Sequence, residues 1–146
     1  MSDLLLNLPE DVRDEDWFIE PRDRSPENEF QRQKRFLRDL KKFAPAIDAF
    51  AVPNAGKSTE WERIRRWNEG ARSGVLDLVI TWNRGVMFAE FKDKDGMPTP
   101  AQRERLNLHY RQGHHCGVYR KPETLLAHLF ELGAPFLFPP QPGKRS

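Results

Sequence analysis

An α/β layer fold, a small mixed β-sheet flanked by helices, is predicted by three features of this 146-residue sequence. Segments with helical spacing alternate with short apolar runs of strand length. Two of the strongest strand candidates, "GVLDLVI" and "GVMFAEFK", flank the turn "TWNR" and so form a hairpin. Proline and glycine punctuate the ends of nearly every element, and the length suits one domain.

Residues 1–25 are rich in charge and proline and have no clear period. They are expected to form an acidic extension that packs on the domain or on a second subunit. A helix is expected from Pro26 to about residue 43. Ser25 can cap it, Pro26 suits the first helical position, and Glu27 and Glu29 favour the positive helix end. Phe30, Leu37, Leu40 and Phe43 recur along it at roughly helical spacing. "AIDAFAVP" reads as a strand closed by Pro53. Residues 59–69 read as a helix dense in arginine and ended by Gly70. After the hairpin, "TPAQRERLNLHYRQG" is a helix with Thr99 as cap, Pro100 at its first position and Gly113 as stop. "CGVY" is a short strand, and "KPETLLAHLFELG" is a last helix from Pro122 to a Gly133 stop. The expected organisation is thus an acidic extension over 1–25, a domain over 26–133 and a proline-rich basic tail over 134–146.

Apolar residues make up 38% of the chain and charged ones 32%, as in a surface-rich globular protein. No apolar run approaches the ~20 residues of a membrane helix. The start "MSDLLLNLPEDVRDED" reads as neither a secretion signal nor a transit peptide. A lone Cys116 excludes an internal disulfide and suits a reducing cytoplasm. Residues 1–29 hold ten acidic and three basic side chains, net −7, and the rest carry net +9. A basic domain behind an acidic leader suggests a polyanionic partner, with nucleic acid the usual one. A mixed solvated surface is the competing reading.

"AVPNAGKST" resembles a nucleotide-binding phosphate loop, G-x-x-x-x-G-K-[ST]. However, the first glycine of that loop falls on Ala51, and Pro53 removes one of the N–H donors that cradle phosphate. No nucleotide cofactor is expected, and Lys57 is left as a contact for a DNA phosphate.

The chemistry is carried by "GVLDLVITWNRGVMFAEFK". Asp77, Glu90 and Lys92 lie within or beside buried strands, where isolated charges are costly unless paired or bound to metal. A two-residue loop at Asn83–Arg84 sets Asp77 directly opposite Glu90, with Cβ atoms ~5 Å apart. Lys92 then shares their face, and Leu76, Leu78, Ile80, Met87, Ala89 and Phe91 fill the other. A type I turn with Gly85 in a bulge is the alternative, and a one-residue slip would turn Asp77 away. Two carboxylates plus a backbone carbonyl, from Phe91, make an all-oxygen site suited to Mg²⁺ or Mn²⁺. Such an ion can activate water and offset charge on a phosphodiester, with a lysine alongside to steady the transition state. A structural Asp–Lys–Glu ion cluster is the competing reading. His109, His114, His115 and Cys116 offer no second ligand pair at zinc spacing. Trp61 and Trp67 read as core anchors in preference to a DNA-stacking contact, and Arg63, Arg65 and Arg66 include phosphate contacts.

Asp77 followed by Glu90-Phe91-Lys92 resembles the D…(D/E)xK signature of the PD-(D/E)XK nucleases. Over about residues 26–122 the chain is similar to the VRR-NUC family within that superfamily. "PENEFQ" resembles the family's opening helix, "VPNAGK" the loop after its first strand and "GARSGVLDLVI" its G-x-x-x-G-V-P-D-L segment. "FAEFKDKDGMPTPAQ" resembles its E-x-K strand and following helix, and "GHHCGVYRKPE" its last core strand. The one departure is Leu76 in place of the proline before the aspartate, which shapes backbone more than chemistry.

The resemblance implies a restriction-endonuclease-like core and a Mg²⁺- or Mn²⁺-dependent DNA endonuclease leaving 5′-phosphate and 3′-hydroxyl ends. It assigns Asp77 and Glu90 as metal ligands, Lys92 as the catalytic lysine and Glu27 as the acidic position of the first helix, acting through water. Glu29 is the alternative to Glu27. Gln102 matches the glutamine of the following helix, although a capping box with Thr99 would explain it equally. Lys57, Arg63, Arg66 and Lys94 are the expected DNA contacts. A junction-resolving nuclease, which needs a homodimer, and a catalytically silent DNA-binding module are the alternatives. The expected setting is the cytoplasm of a bacterial host, with a phage or prophage origin.

Overall fold

A computed structural model describes residues 13–53, 60–68 and 75–141. Its elements are β1 (Phe18–Ile19), α1 (Glu29–Phe43), β2 (Asp48–Ala51), α2 (Glu60–Asn68), β3 (Leu78–Trp82), β4 (Gly85–Phe91), α3 (Pro100–Arg111), β5 (His115–Tyr119) and α4 (Pro122–Glu131). The strands form one five-stranded sheet in the order β1-β5-β4-β3-β2. β2, β3 and β4 run antiparallel in sequence, whereas β5 is parallel to both β4 and β1. The sheet is therefore mixed, as the alternation of elements predicts.

The hairpin register follows the two-residue loop. Leu78 faces Ala89, Ile80 faces Met87 and Trp82 faces Gly85. Arg84 takes the left-handed backbone conformation the tight turn needs, at φ 65°. The Trp82 ring lies over Gly85, where an added Cβ would meet it at 2.0 Å, so only glycine fits beneath.

Side chains alternate across the sheet. Leu78, Ile80, Met87, Ala89 and Phe91 point to one face, where Phe36 and Leu40 of α1 and Leu125 and Leu129 of α4 cover them. On the opposite face Trp17, Leu106 of α3, Cys116 and Val118 form a second cluster. Leu76, expected with Leu78 and Ile80, joins this second cluster instead. The chain bends at Asp77 before β3 begins, so strand alternation does not extend back to residue 76.

Three further expectations are corrected. The first helix begins at Glu29, because Asn28 and Gln31 form a reciprocal capping box; the Ser25 hydroxyl takes the Glu27 N–H in the turn before it. Phe30 is consequently 70% exposed, and Phe36 occupies the core instead. Trp61, expected in the core, is exposed on α2, and the side chain of Trp67 lies outside the described residues.

The leader joins the sheet at Phe18–Ile19. β1 adds to β5 through Phe18 and Gly117, where a Cβ would sit 3.1 Å from the Phe18 carbonyl oxygen. Past the last helix, Ala134 is buried and the Leu137 N–H donates to the Phe43 carbonyl. Among the described residues, no helix is long and apolar enough to cross a membrane.

Candidate metal centre

Three elements deliver one carboxylate each to the same point. Glu90 projects from β4, Asp77 from the bend before β3 and Glu29 from the first position of α1. An oxygen from each lies within 4.8 Å of the others. The Asp77 N–H donates to Glu90 Oε2 at 2.8 Å, which fixes the pair across the hairpin. Lys92, on the same face two residues on, places Nζ 3.7 Å from Glu90 Oε1 and 3.8 Å from Glu29 Oε1.

Gln102 caps its helix and also reaches Glu90. Its backbone N–H donates to Thr99 Oγ1 and its Oε1 accepts from the Thr99 N–H, which is the capping box of α3. Its Nε2 meanwhile donates to Glu90 Oε1 at 3.0 Å. Both oxygens of Glu90 are thus held in place, although the residue is only 1% exposed.

Glu27 does not join the cluster. Arg35 takes its carboxylate in a two-nitrogen contact, with Oε1 at 2.7 Å and Oε2 at 3.0 Å, and also pairs with Glu123. The hydrogen bonds from Arg35 hold the Glu27 carboxyl below its usual range. Glu29, the alternative, occupies the place expected of Glu27. The Asn28–Gln31 box would have revealed this, because it makes Glu29 the first helical residue.

The electrostatics of the cluster follow from its burial and its crowded charges. Burial, then the neighbouring Asp77 carboxylate, pushes the Glu90 carboxyl well above the ordinary value, against the pull of Lys92. Burial likewise raises Glu29, with Asp77 and Asp93 adding to the effect and Lys92 opposing it. With all three carboxyls ionised, one ammonium leaves negative charge uncompensated, and every donor of the trio is a hard oxygen. Such a donor set could hold a metal ion.

The remaining expected contacts are more dispersed. Phe91 turns its ring into the opposite core, 5.7 Å from Phe36. Lys94 is exposed on the loop beyond Lys92. Lys57 and the side chains of Arg63 and Arg66 lie outside the described residues. His109 stacks on Phe88 at 3.8 Å, and the Cys116 thiol donates to the Leu106 carbonyl. Among the described residues the acidic trio is the cluster with metal-ligating geometry.

A mixed sheet with helices on both faces, bearing an acidic centre at the β3–β4 hairpin, is the restriction-endonuclease-like architecture expected from the sequence. No family model matches the chain, and no protein of curated function matches it. Among solved structures, the chain superposes on one described as "VRR_NUC domain protein" with a TM-score of 0.58, over 74% of this chain and 89% of that one. The two are 21% identical, so the likeness is one of fold, and the fold is that of the family the sequence blocks resemble.

Proposed function

We propose that this chain is a metal-dependent DNA endonuclease of the VRR-NUC type, hydrolysing phosphodiester bonds to leave 5′-phosphate and 3′-hydroxyl ends. The observation that carries the reading is the convergence of Glu29, Asp77 and Glu90 within 4.8 Å, with Lys92 and Gln102 on the same carboxylate. The nuclease fold of the similar structure supports it.

Asp77, Glu90 and the Phe91 carbonyl are the proposed ligands of Mg²⁺ or Mn²⁺, with Glu29 in place of Glu27 as the outer acid. When bound, the ion supplies Lewis acidity toward a phosphate oxygen and acidifies water. The residues do the rest. Gln102 holds Glu90 in the orientation that turns its carboxylate toward Asp77. Lys92, 7% exposed and held between two carboxylates, keeps its ammonium where negative charge develops on the attacked phosphate. Lys57, Arg63, Arg66 and Lys94 bind the DNA backbone, and a homodimer would let two such centres act on one DNA.

The test is cleavage of plasmid, branched and single-stranded DNA with Mg²⁺, Mn²⁺ or EDTA. Cleavage should need the metal and vanish in Asp77→Ala, Glu90→Ala and Lys92→Ala while the fold persists. Wild-type rates in all three purified variants would refute the assignment, and metal-independent DNA binding without cleavage would identify a silent module.

A further inference from the structure

The link from β4 to α3 joins the two sides of the metal centre, because Lys92 precedes it and Gln102 follows it. That link is held from two directions. From within, Asp93 Oδ1 accepts the N–H groups of Asp95 at 3.0 Å and Gly96 at 2.6 Å. From beneath, Arg120, just after β5 and 1% exposed, donates through Nη1 to the carbonyls of Asp93 at 2.6 Å and Gly96 at 2.8 Å. Its Nη2 meets Met97 Sδ at 3.4 Å and its Nε the Glu20 carbonyl at 2.9 Å. Each guanidinium nitrogen thus meets a carbonyl or a thioether, so the buried cation is solvated by the loop and by the Glu20 carbonyl.

The loop runs close beside the acidic cluster. A Cβ at Gly96 would lie 3.4 Å from Glu29 Oε1 and 3.4 Å from Lys92 Cβ, with Asp93 Oδ1 at 3.1 Å. Residue 96 therefore lies within one added methyl group of both Glu29 and Lys92. The Arg120 carbonyl also accepts from Arg32 Nη1 at 2.7 Å, which ties the same clamp to the helix bearing Glu29.

We infer that Asp93 and Arg120 are positioning residues: through the 93–97 loop they fix Glu29 and Lys92 relative to Glu90, and so set metal affinity and turnover. The inference rests on the proposed metal centre. Partners that orient metal ligands typically change affinity or activity by about 10–100-fold when removed.

The experiment measures Mn²⁺ affinity by calorimetry, and kcat and KM for the DNA that the wild-type chain cleaves best, in Asp93→Ala, Asp93→Asn and Gly96→Ala. Melting curves accompany each. Asp93→Ala loses both loop bonds, and its Mn²⁺ affinity and kcat should fall roughly 10-fold with KM for DNA within about twofold. Asp93→Asn keeps an acceptor oxygen for both N–H groups and should restore most of both quantities, which loss of charge alone would not allow. Gly96→Ala, whose added methyl would press on Asp93 Oδ1 at 3.1 Å, disturbs the same clamp and should lower Mn²⁺ affinity in the folded protein. Wild-type affinity in Asp93→Ala, or an Asp93→Asn as weak as Asp93→Ala, would overturn the inference. Binding of Mn²⁺ by the wild type without cleavage of any DNA would remove the nuclease reading and leave the clamp to be judged on affinity. A wild-type chain that takes up no Mn²⁺ would remove both.

Discussion

Replacing Asp77 by Asn should make the metal-free protein more stable and the metal-loaded one useless. An oxygen of Asp77 lies within 4.8 Å of oxygens of both Glu90 and Glu29. At an effective dielectric of about 20, two unit charges at that separation repel by roughly 3–4 kcal/mol. Lys92 offsets part of this, and Asp77 is partly open to solvent, so a net relief of about 1–2 kcal/mol is the reasonable expectation. The hydrogen bond to Glu90 survives, because its donor is the backbone N–H of residue 77. For a chain of this size the gain corresponds to roughly 3–6 °C in melting temperature in EDTA near neutral pH.

The sign of the pH dependence is fixed by the raised carboxyl groups of Glu90 and Glu29. Each holds its proton more tightly folded than unfolded, so its stability contribution is present below the unfolded value of 4.5 and is lost as pH rises toward the folded one. The advantage of Asp77→Asn should therefore be small near pH 4.5 and grow toward neutrality. With Mg²⁺ at 100 times its dissociation constant the wild type gains about 2.7 kcal/mol, enough to reverse the order, whereas the variant gains much less. Thermal melts across pH, in EDTA and in Mg²⁺, make the check. An Asp77→Asn protein that melts below the wild type in EDTA at neutral pH, and rises equally with Mg²⁺, would refute the idea that these carboxylates are forced together.

Glu29→Gln should lower cleavage by an order of magnitude or more, whereas Glu27→Gln should spare turnover and cost only about 1 kcal/mol through its bond to Arg35; steady-state kinetics and melts separate the two. Gln102→Ala loses the return bond of the capping box and the bond to Glu90 together, so it should cost about 1 kcal/mol of stability and also weaken Mg²⁺-dependent cleavage. Asp23→Ala should cost roughly 3–5 kcal/mol, seen as a large fall in melting temperature, because it strands the buried Arg32 guanidinium. Lys94→Ala should weaken DNA binding across all sequences and reduce the slope of log affinity against log salt by about 1.

The hairpin was legible because two independent signals agreed on it. Apolar alternation and a two-residue turn both place Asp77 beside Glu90, and a slip would have moved every side chain to the wrong face. What escaped the sequence was physical in each case. β1 is two residues long, too short for any period, and its parallel pairing with β5 joins segments about a hundred positions apart. Leu76 broke its expected pattern because the backbone bends one residue before the strand. Glu27 and Glu29 are told apart by which residue caps the helix, and proline at position 26 argued for a start that Asn28 overrode. Arg32 and Arg120 are fully buried, although composition alone assigns arginine to the surface. For Gln102 the two readings were never exclusive, since a primary amide can accept at oxygen and donate at nitrogen at once.

Those two arginines explain how three carboxylates can be kept close in a metal-free chain. The cluster opposes folding by itself, so something else must hold its three carriers together. On one face, Leu78, Ile80, Met87, Ala89 and Phe91 bind β3 and β4 to α1 and α4, which fixes Asp77 and Glu90 to the same layer as the start of α1. At the site's edge, Arg32 joins Asp23, the Ser25 and Glu27 carbonyls and the Arg120 carbonyl, so the turn leading into Glu29 cannot retreat from the sheet. Glu20 completes the frame by accepting from the N–H groups of Arg120 and Lys121 and from the Thr124 hydroxyl. The leader thus has a structural task that its net charge does not suggest. Asp23 neutralises the buried Arg32, and the Glu20 carboxylate anchors the backbone at Arg120 beside the acidic cluster. A substitution at Glu20 or Asp23 should therefore reach the chemistry through Glu29, with no contact to metal or DNA.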